Sequence, residues 1–175
     1  MIKKIFAIAL ILTLAAGMLV ATRPAGEVLE VRHRQTGRML WEQKVVPGDR
    51  FTVSFLHSVA RSQVDETYVV ETGGRMVLTE TVYYSFGAGL PFDIDPGQEF
   101  EFRDGKLILT GLNRQIGELW LAVGTIARHQ LIVRGETIPL SSLTKPGDPV
   151  VISIKQRSWL SGIIKGGKSW TLNVE

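Results

Sequence analysis

From residue 27 onward apolar and polar residues alternate in short runs, and the three-to-four spacing of an amphipathic helix is almost absent. The clearest run is Arg50–His57, where Phe51, Val53 and Phe55 fall on one face and Thr52 and Ser54 on the other, so the first face belongs in a core. Runs of the same kind predict strands over Glu27–His33, Arg38–Val46, Val64–Glu71, Arg75–Tyr84, Glu99–Arg103, Lys106–Thr110, Glu118–Val123, Gln130–Val133, Val150–Lys155 and Trp170–Val174. The breaks carry turn chemistry. Pro47-Gly48, Pro96-Gly97 and Pro146-Gly147 each set a φ-restricted residue before a glycine, as a type II turn requires, and each precedes a strand. Thr36-Gly37 and Gly73-Gly74 read as hairpin turns, and Asp104-Gly105 as a type I′ hairpin. The Pro-Gly units do not recur at a solenoid period. The pattern predicts an all-β fold, a single-domain antiparallel β-sandwich or partly open barrel of about ten short strands, over residues 25–175 with no internal linker.

The amino terminus breaks this pattern. Lys3 and Lys4 precede an apolar run from Ile5 to Ala21, interrupted only by Thr13 and Gly17, and the chain turns polar at Thr22, Arg23 and Pro24. Residues 1–21 therefore read as a hydrophobic export or anchor helix. The run falls between a signal-peptide core and a membrane span of about 20 residues, so a cleaved signal peptide and a retained signal anchor both fit. Ala15, Gly17 and Ala21 offer small residues for cleavage, whereas Leu19 fits an A-x-A site poorly. Either fate keeps the lysines inside and places the rest of the chain beyond the cytoplasm, in the periplasm or on the outer face of the cytoplasmic membrane. An uncleaved segment would tie the chain to that membrane.

Charge and composition change the picture in two ways. The formal charge is +3, from 20 basic and 17 acidic residues, but two of the lysines belong to the leader. In the rest the signs interleave, as in Arg32, Arg34, Arg38, Glu42 and Lys44, so no nucleic acid is expected as a partner; that needs basic residues clustered on one face. The chain has no cysteine, so stability in an oxidising compartment has to come from core burial. Collagen, coiled coil, disulfide scaffold and polytopic membrane protein are excluded by composition.

Two stretches stand apart. In the first, His57-Ser58-Val59 is followed by Asp65-Glu66-Thr67-Tyr68. A hairpin closing through Ala60–Gln63 would bring imidazole and carboxylate to the same end of the sheet. Such a pair can orient a general base, hold a tautomer or ligate a metal, or it can be a cross-strand ion pair at the rim. The second stretch is Ser85-Phe86-Gly87-Ala88-Gly89-Leu90-Pro91. Its glycines leave backbone amides unshielded, which suits an anion, although a tight bend leaving a strand needs the same residues. It lacks the lysine of a phosphate-binding P-loop and the following helix of a dinucleotide site.

Phe55-Leu56-His57-Ser58-Val59, then Glu66 and Tyr68, then Phe86-Gly87-Ala88-Gly89-Leu90-Pro91 together resemble the signature of a bacterial family, the domain of unknown function 1850. The resemblance covers most of the chain after residue 25; the last third matches only as a β-rich pattern. It implies a small exported or anchored protein encoded near the receptor and fused permease of TRAP transporters of the TAXI subclass, with that receptor or permease as partner. It implies no activity. The positions it carries over are His57, Ser58, Glu66, Gly87, Ala88, Gly89, Leu90 and Pro91. Because both stretches belong to one signature, they are expected to meet in a small polar pocket for an anionic ligand or a partner segment.

Other chemistries have thinner support. Ser58 is a poor nucleophile for His57, because consecutive strand residues diverge unless the strand ends between them. A metal could draw on His57, Glu66, Asp65 and His129, but no metal motif links them, and no catalytic residue, metal ligand or cofactor is assigned. His33, between two arginines, reads as a solvated strand residue, and Trp41, Trp120, Trp159 and Trp170 as packing or rim residues. The basic and apolar tail Lys155–Lys168 could touch a membrane or a partner. Three functions are therefore weighed: an extracytoplasmic accessory or binding module, a hydrolase or metal-dependent enzyme using His57 and Glu66, and a purely structural periplasmic domain.

Overall fold

The computed structural model describes residues 6, 11–15, 17–18, 24–59, 61–85 and 95–158. The glycine stretch from Phe86 to Pro91, Trp159 and the expected strand Trp170–Val174 lie outside them. Residues 11–15 and 17–18 are helical, and no helix among the described residues is long and apolar enough to cross a membrane. By contacts the chain divides into one unit of residues 1–27 and 156–175 and a second of Val28–Lys155.

Every strand expected before Lys155 is present. The described elements are β1 (Pro24–His33), β2 (Met39–Val45), β3 (Arg50–Leu56), β4 (Gln63–Glu71), β5 (Arg75–Tyr83), β6 (Glu99–Arg103), β7 (Lys106–Thr110), β8 (Arg114–Ile116), β9 (Glu118–Ala122), β10 (Gln130–Val133), β11 (Glu136–Pro139), the short helix α1 (Leu140–Leu143) and β12 (Pro149–Ser158). They form a four-stranded sheet, β2-β1-β12-β9, and a larger one, β11-β10-β3-β4-β5-β7-β6, in which β8 also pairs with β5. The pairings along the larger sheet are antiparallel. Leu29, Val31, Val150 and Ile152 of the smaller sheet share one buried core with Phe51, Val53, Tyr68 and Leu131 of the larger, as in a β-sandwich.

The turns follow their residues. Gly48, Gly97 and Gly147 have φ of 93°, 91° and 92°, and the residue after each donates its amide three residues back, to Val46, Asp95 and Lys145. That is the type II geometry expected after proline. Asp104 and Gly105 both have positive φ and link Arg103 to its rung partner Lys106, a type I′ hairpin.

Two strands and the helix escaped the sequence pattern. β11 pairs with β10 through a turn of the same type at Arg134-Gly135, with φ of 50° and 81°, but arginine occupies the place usually taken by Asn or Asp, and Pro139 argues against a strand. β8 is three residues long and has no alternation; it exists because β5 is longer than β7 and leaves Met76–Leu78 to be paired.

One charge is buried with its partner. Glu30 on β1 is only 1% exposed, and Arg32 donates to its two carboxylate oxygens from Nε at 2.6 Å and Nη2 at 3.1 Å. Nη1 of Arg32 also donates to the carbonyl of Gly37 at 2.9 Å. The Glu30 hydrogen bond, more than any other influence, raises the guanidinium pKa further above its ordinary value.

Candidate functional site

The register of the larger sheet places Glu66. On β4 it stands opposite Val53 of β3 and Thr81 of β5, both buried, so its carboxylate lies on the core-facing side. Two residues on, Tyr68 shares that side because strand residues i and i+2 do, and its hydroxyl donates to Glu66 Oε2 at 2.6 Å. The Tyr68 ring is stacked on Phe51, with centroids 5.2 Å apart and planes 13° from parallel. The next rung carries Val64 opposite Phe55 and Tyr83, and Tyr83 in turn pairs with Leu107. Between Thr67 and Tyr68 the β4–β5 register shifts by one residue, leaving Thr79 as the extra one, and its hydroxyl donates to the Thr67 carbonyl at 3.3 Å.

Burial and charge keep the two phenols of this cluster protonated. Burial, and then the adjacent Glu66 charge, push the Tyr68 phenol far above its ordinary range, with Arg114 acting weakly the other way. Tyr83 is raised by the same two causes, burial first. Both phenols therefore stay neutral, and that of Tyr68 is the donor to Glu66. A half-buried carboxylate held by a charge-assisted hydrogen bond on an apolar wall can receive N–H donors from a ligand. Tyr68 belongs to the motif quoted above but was not read as a site residue, although its i, i+2 spacing from Glu66 marked the shared face. Tyr83 and Arg114 carried no signal.

The expected contact between His57 and Glu66 is not what the register produces. The turn occupies residues 57–62, with His57 N–H donating to Ser62 C=O and Arg61 N–H donating to His57 C=O, both at 2.8 Å, and β4 begins at Gln63. His57 thus faces Ser62, whereas Glu66 faces Val53, four residues further along β3 or about 13 Å at strand rise. Ser58 is exposed on the turn, after the strand has ended. Of the remaining expected positions, Gly87, Ala88, Gly89, Leu90 and Pro91 lie outside the described residues. Asp65 points to the opposite side of β4 from Glu66 and accepts from the Tyr84 hydroxyl at 2.9 Å. Among the described residues no three His, Asp or Glu side chains converge as a metal would require.

His129 packs against Phe55, the rung partner of Val64. It precedes β10, its ring is tilted against Phe55 at 5.8 Å between centroids, and Nδ1 is buried without a hydrogen-bond partner. Burial lowers its pKa from the ordinary 6.5. With the folded value depressed, the unfolded chain binds the proton more readily, so this group's contribution to stability is complete above pH 6.5 and declines as pH falls through the window beneath it. Urea melts between about pH 8 and about pH 5 should therefore show His129→Phe losing less stability than the parent chain. Parallel pH profiles would refute the assignment.

A family model described as a domain of unknown function (DUF1850) matches residues 51–140, just over half of the chain. The chain belongs to the DUF1850 family. The match runs from β3 to the first residue of α1 and contains His57, Ser58, Glu66, Tyr68, Tyr83 and Arg114. Nearly all of the larger sheet therefore belongs to the DUF1850 part, while β1, β2 and β12 of the smaller sheet lie outside it. No curated protein and no solved structure matches this DUF1850 chain.

Proposed function

We propose that this DUF1850 protein is an extracytoplasmic accessory or binding module, carried out of the cytoplasm by its amino-terminal segment and working beside the receptor or permease of a TAXI-type TRAP transporter. Its recognition site is the wall around Glu66. The observation that carries this is the Glu66 carboxylate, half-buried on the core-facing side of the larger sheet and fixed by the Tyr68 hydroxyl at 2.6 Å. A fixed anion of this kind favours a ligand or partner segment presenting N–H or ammonium groups over an anionic one. A hydrolase would need base and orienter on neighbouring rungs, and the register separates His57 from Glu66.

The test pairs two measurements on the full chain. Thermal melting in the presence of small amines, guanidinium compounds and carboxylates should show an upward shift with the nitrogen donors, abolished in Glu66→Gln, which keeps an acceptor for Tyr68. Co-purification of the receptor or permease from the native membrane should be lost in the same variant. A shift with carboxylates alone, or a Glu66→Gln protein that binds as the parent does, would end this assignment.

A further inference from the structure

Two turns at one end of the larger sheet repeat a short pattern. Val59-Ala60-Arg61 follows β3, and Ile126-Ala127-Arg128 precedes β10, each a branched aliphatic residue, an alanine and an arginine. The two strands are paired neighbours, and the Leu56 amide donates to the Ala127 carbonyl at 2.7 Å, so the turns emerge side by side. Val59 and Ile126 are 68% and 71% exposed, although turn tips are normally polar or glycine. Burial inside the fold therefore does not account for these two side chains.

The arginines are equally out of place. Arg61 and Arg128 are exposed at φ of 49° and 45°, a left-handed conformation in which glycine or asparagine would sit with less strain. Neither turn, residues 57–62 or 123–129, contains an acidic residue, while each contains a histidine, His57 or His129. Two apolar tips therefore stand beside two cations, with no carboxylate in either turn.

We propose that this end of the sheet is a membrane-docking surface, on which Val59 and Ile126 enter the headgroup boundary of an anionic bilayer and Arg61 and Arg128 bind its phosphates. An anionic bilayer offers both kinds of partner, phosphates at its headgroups and acyl carbons beneath them. The side chains project from turns instead of lining a groove, so they suit a soft planar surface better than a peptide. Arginine offers forked donors to phosphate.

The absence of cysteine makes the experiment clean, because Ile126→Cys carries a single fluorescent label. Val46→Cys is the control. Val46 is another exposed aliphatic turn residue, but it precedes β3 and so lies at the far end of that strand. The full chain is mixed with vesicles of phosphatidylglycerol and phosphatidylcholine containing nitroxide-labelled lipid. The label at 126 should be quenched well beyond the label at 46. Arg61→Gly with Arg128→Gly, which relaxes both backbone positions, should weaken docking by about 20- to 30-fold, as should replacing the anionic lipid. Equal quenching at both labels overturns the proposal. Quenching indifferent to the arginines and to lipid charge overturns it as well, and would leave the surface to a protein partner.

Discussion

Tyr68→Ala is expected to cost about 3–5 kcal/mol, the range for removing a large aromatic side chain from a packed core. Tyr68 is 1% exposed, stacked on Phe51, and sits where the two sheets share their apolar faces. A domain of this size has roughly 5–15 kcal/mol in total, so the variant would be close to unfolded at physiological temperature. Tyr68→Phe separates the two roles of the side chain. It keeps the ring and removes only the hydroxyl that donates to Glu66, which should cost about 1–3 kcal/mol, because a partly buried carboxylate then loses its charge-assisted donor. Urea melts of both variants check this. If Tyr68→Phe were as damaging as Tyr68→Ala, the hydroxyl and not the stacking would dominate, and the packing argument would fail.

The second large effect is expected at Arg32. Arg32→Ala withdraws a bidentate partner from a carboxylate that has almost no access to water, and such changes cost about 3–5 kcal/mol because a buried charge loses its compensation. Replacing both members, Glu30→Met with Arg32→Met, removes the charge as well as its partner, and should return most of the loss. The comparison is between stabilities from denaturant melts of the single and double variants. A double variant no better than Arg32→Ala would mean that the arginine stem, packed along the strand, supplies the stability instead of the ion pair.

Much of the strand order was legible because it rests on local chemistry. Phe51, Val53 and Phe55 alternate as a half-buried strand must, and each Pro-Gly pair produced the turn that its backbone restrictions favour. β8 and β11 were not legible, since one is created by leftover length on β5 and the other by a turn whose left-handed positions hold Arg134 and Gly135. The candidate site was half legible. Spacing across the hairpin suggests His57 as the partner of Glu66, whereas the hydrogen-bond partner is Tyr68, two residues along the same strand. Register decides such matters, and register depends on where a turn begins: starting it at His57 sets the imidazole four positions from the rung of Glu66.

The irregularity at Thr79 governs which aromatic ring faces the core. Before it, Met76 and Leu78 point inward; after it, Thr81 and Tyr83 do, so the even-numbered side chains of β5 hand over to the odd-numbered ones in mid-strand. Taking Thr79 into the ladder without changing the length of β5 would keep strict parity, setting Glu80 opposite Glu66 and Val82 opposite Val64 and turning the Tyr83 phenol to the other face. A single unpaired residue thus works as an inverter in the strand, and holding Thr79 out of the ladder matters as much to the Glu66 wall as the identity of any side chain in it.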